Sequence, residues 1–237
     1  MDMLESNKQN YETRYATQQT FLRYPADWII RFHNMYLKRA LPSGRILDYG
    51  CGSGNNSIFF IEHGYETYGV EVADASLPLL RANLDSHQLD PGLADRFALI
   101  PPDCETLPFS SGFFDLIVAN QVLYYLGSEL RIRRVCEELS RCLRPGGVVF
   151  FTMMGQTNYF ITRHGTPVDG GQVYEVTMDS SHRLAGLRQF VYVVKDAETL
   201  RSLFDQFECL STGHFDQSMF DMVSNFHWIF IGRKRPA

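Results

Sequence analysis

Ile46-Leu47-Asp48-Tyr49-Gly50-Cys51-Gly52-Ser53-Gly54 is the stretch on which the fold turns. A short apolar strand, Arg45 to Tyr49, runs into a turn with glycine at alternate positions. A helix then begins at once, from Asn56 to His63, closed by Gly64. Glycines there let backbone approach a ligand where a Cβ would collide. Asp48, two residues before the first glycine, discriminates between ligands. A pyrophosphate at this turn would face its carboxylate, and two like charges about 6 Å apart at an effective dielectric of ~20 repel by roughly 3 kcal/mol. The dinucleotide fingerprint also wants its third glycine one place later, where Asn55 stands. A positively charged ligand makes the same aspartate a partner. The turn favours a cation.

Outward from this turn the chain alternates strand and helix. Thr67 to Val72, Phe97 to Ile100, Phe114 to Ala119 and Val148 to Met153 read as strands, and Leu77 to Ser86 and Ser128 to Leu143 as helices. Short apolar strands separated by helices mean a parallel sheet covered on both faces. Such sheets bind ligands beyond the carboxyl ends of their strands, where strand order reverses. Upstream, three-and-four spacing predicts helix from Tyr11 to Ala40, with Pro25 in a first turn. After Met153 come β-like runs at Val173 to Thr177 and Leu187 to Val194, then a helix at Ala197 to Phe207. Strand-like runs around Cys209 to Phe215 and Phe226 to Gly232 close the chain.

The expected fold is α/β, a doubly wound Rossmann-like sheet finished by an antiparallel pair. A single domain spans 1–237: a helical cap over 1–42, a core over 43–153, a β-rich insertion over 154–195, and a terminal helix with strands over 196–237. The chain's 237 residues, 45% apolar and 21% charged, suffice for one such core. A formal charge of −5 gives no pull toward phosphate backbones, so no nucleic-acid partner is expected. Five cysteines without C-x-x-C spacing argue against a disulfide framework and a thiolate metal site. The polar start MDMLESNKQN is no signal peptide, and no apolar run reaches the ~20 residues that span a bilayer. The expectation is a cytoplasmic chain without a membrane partner or a metal.

Two further strand ends carry acids. Glu71 ends the second strand, and a carboxylate there can accept from both ribose hydroxyls of a nucleoside. Asp103 follows the third strand, placed to accept from an adenine amino group while the Cys104 N–H donates to a ring nitrogen.

The set LDYGCGSG, YGVEV, PPDCETLPF, FDLIVANQVLYYL and LRPGGVVFFT resembles the class I S-adenosylmethionine-dependent methyltransferases, in particular the small-molecule, type 11/12-like branch. The resemblance covers about residues 45 to 153. It implies a seven-stranded sheet whose last strand is antiparallel. It implies that Asp48 and the turn Gly50, Cys51, Gly52 and Gly54 hold the methionine part of S-adenosylmethionine, leaving S-adenosylhomocysteine as product. Glu71 with Val72 would hold the ribose, Asp103 and Cys104 the adenine, and the Asn120 backbone would lie beneath the methionine part. Tyr15 and the Arg23-Tyr24-Pro25 run resemble the closing segment of related enzymes, where an arginine meets the methionine carboxylate.

The acceptor is expected to be a small molecule, flat or apolar, among Tyr11, Tyr15, Tyr24, Tyr124, Tyr125, Tyr159 and Phe160. Ala119-Asn120-Gln121-Val122 lacks the Asn/Asp-Pro-Pro-aromatic run of enzymes that methylate base amines. His164 and His182 lie where the insertion should border the acceptor, and no residue is assigned as catalytic. Other readings stay open: a protein that binds S-adenosylmethionine without turnover, an NAD(P)-dependent oxidoreductase, or an aminopropyl transferase.

Overall fold

The computed structural model describes residues 2–17, 23–168, 171–178, 186, 188–220 and 223–235. His182 and Leu187 lie outside them. Among the described residues, the strands are β1 (Arg45–Tyr49), β2 (Glu66–Glu71), β3 (Phe97–Leu99), β4 (Phe114–Ala119), β5 (Leu143–Met154), β6 (Gly165–Val168), β7 (Val173–Thr177), β8 (Arg188–Tyr192), β9 (Phe207–Phe215) and β10 (His227–Lys234). The helices are α1 (Met3–Ala16), α2 (Asp27–Phe32), α3 (Lys38–Ala40), α4 (Asn55–Glu62), α5 (Ser76–Ser86), α6 (Glu129–Cys142), α7 (Tyr159–His164) and α8 (Ala197–Leu203).

Seven strands form one sheet in the order β3-β2-β1-β4-β5-β10-β9. β1 pairs in parallel with both β2 and β4, so chain order reverses between β1 and β4. β10 runs antiparallel to β5 and β9. This is the doubly wound sheet with an antiparallel last strand that the sequence implied. β6, β7 and β8 make a separate antiparallel sheet after β5.

Alternation along the central strands divides the core. Ile46, Leu116, Val118 and Phe150 pack with Phe59 and Phe60 of α4 and with Ile29 and Phe32 of α2. Leu47, Ile117, Ala119 and Phe151 pack on the opposite face with Ile132, Cys136 and Leu139 of α6. Asp48 shares the parity of Ile46, which sends its side chain toward α4.

The N-terminal segment departs from expectation. Instead of helix from Tyr11 to Ala40 there is α1, then α2 running through a π turn at His33–Leu37 into α3. Pro25 precedes α2, whose N-cap is the extended Ala26. α1 has almost no apolar stripe, and four of its six buried residues are Ser6, Asn7, Asn10 and Arg14. Hydrogen bonds hold it in place. Glu12 accepts from the Asp74 and Ala75 N–H groups at 2.6 and 2.9 Å, just before α5. Asn7 Nδ2 donates to the Tyr125 and Phe190 carbonyls, both at 2.8 Å. Helix α7 was not anticipated; Asn158 caps it by accepting from Phe160 N at 3.0 Å. α8 stops at Leu203, short of the expected Phe207.

Candidate active site

A cavity of about 660 Å³ opens beyond the carboxyl ends of β1, β2, β4 and β5, where strand order reverses. One end is walled by Gly50, Gly52, Glu71, Val72, Ile100 and Pro102. The other is walled by Trp28, Met154, Phe160, Asn225 and His227. α1 forms the roof through Tyr11, Arg14 and Tyr15.

The turn is built as its glycines require. Gly50 and Gly52 sit at φ +75° and +55°. A Cβ on Gly50 would lie 2.4 Å from Val122 Cγ2, and one on Gly52 would lie 2.5 Å from Tyr15 Oη. Glu71 binds this turn to β2: its Oε2 accepts from Gly52 N at 3.0 Å, and its Oε1 from Val72 N and Ala73 N at 2.7 and 3.3 Å. Burial raises its pKa, against the pull of those three donors. A second lone pair on Oε2 is left for a ligand hydroxyl.

Seven predicted residues meet at the cavity: Tyr15, Gly50, Cys51, Gly52, Glu71, Val72 and Asn120. The Asn120 side chain is already engaged, since its Oδ1 accepts from Trp28 Nε1 at 2.8 Å and Thr152 Oγ1 at 3.3 Å. Its backbone is the part expected beneath the methionine moiety, and the carbonyl oxygen of the side chain is taken up by these two bonds.

Five predicted residues do not reach the cavity, and the reasons are local. Asp48 is 1% exposed beneath α4, where Ser57 Oγ donates to its Oδ2 at 2.6 Å. Burial, opposed by that bond, lifts its pKa to about 7. Strand parity thus removes Asp48 from direct contact with a cation. Gly54 at φ +80° is the N-cap of α4, where a Cβ would strike Leu80. Asp103 is exposed on its loop. The Cys104 N–H is spent on the Pro101 carbonyl at 3.1 Å, because the loop closes as a turn. Arg23 is exposed, and its Nη2 donates to the Ser86 carbonyl at 3.0 Å. The cluster of three carboxylates expected around one crevice is therefore reduced to Glu71.

Three cavity residues were not singled out in the sequence. Arg14 is 6% exposed. Its Nη2 donates to Gln189 Oε1 at 2.8 Å, its Nε has no partner, and its guanidinium lies 5.0 Å from the Tyr11 ring centre. Among the described residues no carboxylate pairs with it. Gln121 follows β4 at φ +56°, a strained conformation for a side chain of that kind. His227, the first residue of β10, is 1% exposed. Its Nε2 has no partner. No sequence signal marks Arg14, which sits in a stretch without apolar period. His227 is signalled only by the antiparallel last strand, which brings its first residue beside Met154 at the carboxyl end of β5.

The family profile described as a methyltransferase domain matches residues 47–151, the stretch from β1 to β5 that supplies the Gly50–Gly52 turn, Glu71 and Asn120 to this cavity. This stretch is a methyltransferase domain, of the kind found in class I S-adenosylmethionine-dependent methyltransferases. The chain is 27% identical over 187 residues to a malonyl-[acyl-carrier protein] O-methyltransferase of Legionella pneumophila, covering 79% of this chain and 55% of that one. It is 32% identical over 144 residues to a tRNA (carboxymethyluridine(34)-5-O)-methyltransferase of Arabidopsis thaliana, covering 57% of this chain and 31% of that one. The chain thus spans about half or less of these relatives' lengths. The fold matches that of the Burkholderia thailandensis 1,6-didemethyltoxoflavin-N1-methyltransferase, solved with 1,6-didemethyltoxoflavin and S-adenosylhomocysteine. The TM-score is 0.62 at 15% identity, covering 96% of this chain and 87% of that one.

Proposed function

We propose that this methyltransferase-family protein transfers a methyl group from S-adenosylmethionine to a small-molecule acceptor. The observation that carries the reading is Glu71 bound to the Gly52 N–H at the end of β2, inside a two-ended cavity at the switch point. About 660 Å³ is well within the ~300–1,000 Å³ of small-molecule sites.

The residues fit the donor as follows. Glu71 accepts from the ribose hydroxyls. Gly50 and Gly52 let backbone close on the methionine part. The Arg14 guanidinium, buried without an anion, holds the methionine carboxylate. When bound, S-adenosylmethionine supplies a methyl group already activated on a sulfonium sulfur. The protein's task is then alignment and exclusion of water, worth an effective molarity on the order of 10⁵ M or more. α1 excludes water by roofing the cavity, and Tyr11, Tyr15, Tyr124 and Tyr125 line it with ring faces that favour a cation.

The acceptor occupies the end bounded by Trp28, Phe160 and His227, which suits a flat or apolar molecule. A charge of −5 favours such a molecule over a nucleic acid. No helix among the described residues is long and apolar enough to cross a membrane. A free-thiol cysteine set suits the cytoplasm. Incubation with methyl-labelled S-adenosylmethionine and metabolite extracts tests the reading: transfer of label to a low-molecular-weight product is expected. Label found only in tRNA, or in nothing while S-adenosylhomocysteine binds, contradicts it.

A further inference from the structure

We propose that His227 is the general base of this site, taking the proton of a neutral hydroxyl acceptor through Nε2. The inference rests on the methyl-transfer reading above and names the acceptor class for it. Three observations meet at this side chain. It lines the acceptor end of the cavity. Its Nδ1 lies 3.1 Å from the Asn225 carbonyl, an acceptor only, so Nδ1 carries the hydrogen and donates. That fixes the tautomer and leaves the Nε2 lone pair unshared, and Nε2 is buried with no protein partner. A buried ring nitrogen with nothing to bind is costly in a resting core and useful in a site that receives a proton.

The ring is held rigidly. Phe215 stacks on it, with centroids 4.9 Å apart and an interplanar angle of 12°. Tyr124 approaches from the opposite element at 5.7 Å. Trp28 in turn stacks on Phe215 at 3.5 Å. The titratable groups facing His227 are the Tyr124 phenol and the Asp216 carboxylate, the latter already accepting from Ser224 Oγ. Burial depresses the imidazole to a pKa of about 4, more than Asp216 restores. The ring is therefore neutral and competent as a base across physiological pH.

So weak a base serves because charge is conserved within the site. As the acceptor oxygen forms its bond to the methyl carbon, the carbon–sulfur bond breaks and its electron pair stays on sulfur. The O–H bond pair stays on oxygen, and the proton passes to Nε2. One positive charge enters as sulfonium and one remains as imidazolium, among the same aromatic rings. Acceptors already anionic, such as carboxylates and thiolates, would need no such group.

The first test needs no turnover. Nitrogen-15 NMR of histidine-labelled protein, with His227 assigned by loss of its signals in His227→Gln, should show a neutral ring with hydrogen on Nδ1 from pH 6 to 8. An Nε2–H tautomer, or a charged ring at pH 7, overturns the proposal. The second test compares wild type with His227→Gln and His227→Ala, using phenol and catechol as neutral hydroxyl probes and benzoate and thiophenolate as anionic ones. Wild type should methylate a hydroxyl probe. The variants should lose about 10²-fold or more in kcat on it, with residual rates rising about tenfold per pH unit as the probe ionises unaided. Their affinity for S-adenosylhomocysteine, measured by calorimetry, should stay within about twofold. Hydroxyl methylation unaffected in both variants overturns the proposal, as does a wild type that accepts no hydroxyl probe. Absence of S-adenosylhomocysteine binding to wild type would defeat the methyltransferase reading instead.

Discussion

Asn7 of α1 pairs with Phe190 of β8 as a neighbouring strand would: its Nδ2 donates to the Phe190 carbonyl and its Oδ1 accepts from the Phe190 N–H, each at 2.8 Å. This reciprocal bond ties the roof of the cavity to the small sheet that follows β5. Truncating Asn7 leaves buried backbone groups without partners, at about 1–3 kcal/mol each. In a chain of this size each 1 kcal/mol moves Tm by roughly 2–4 °C. Asn7→Ala should therefore lower Tm by several degrees and weaken S-adenosylhomocysteine as the roof loosens. An unchanged Tm in a thermal melt would contradict this account of α1.

Gly52 is where roof and turn meet. Gly52→Ala places a Cβ against Tyr15 Oη and adds about 1–2 kcal/mol of left-handed backbone strain. Affinity for S-adenosylhomocysteine should fall about tenfold or more. Combining it with Tyr15→Phe removes the struck atom, so the double variant should bind more tightly than Gly52→Ala alone. Strictly additive losses would place the damage elsewhere.

Arg14 is assigned to the methionine carboxylate. Arg14→Gln should weaken S-adenosylhomocysteine about 10- to 100-fold and leave 5′-methylthioadenosine, which lacks the carboxylate, nearly unaffected. Equal weakening of both ligands, read by calorimetry, would refute the assignment.

Asp48 makes stability depend on pH with a definite sign. Its folded pKa of about 7 exceeds the unfolded value near 3.8, so the folded state holds the proton more tightly. That stability is complete below about pH 4 and is lost as pH rises toward and through 7. Asp48→Asn cannot ionise, so its Tm relative to wild type should rise by several degrees between pH 5 and pH 8. A Tm difference that stays constant across that range would show that Asp48 is not a perturbed acid.

What the sequence revealed follows from which interactions leave a pattern. β1 and β4 run over the predicted residues because continuous apolar strands bounded by polar turns have few alternatives. α1 was largely hidden because its burial is achieved by Asn7, Asn10 and Arg14, which form no apolar period. The position of Asp48 in the chain points to the ligand, whereas alternation along β1 decides which face it takes. The Cys104 N–H, expected to donate to an adenine, is taken by its own turn. His227 lies far from the glycine turn in sequence and reaches the cavity only through the antiparallel insertion of β10 between β5 and β9.

The account stands on a carboxylate at the tip of β2 that greets a nucleoside. Isothermal calorimetry of S-adenosylhomocysteine against wild type and Glu71→Ala addresses it most directly. The expected result is single-site binding at micromolar or tighter affinity in wild type, with a loss of about tenfold or more in the variant. No heat at high micromolar ligand, or equal affinity in the two proteins, would contradict it.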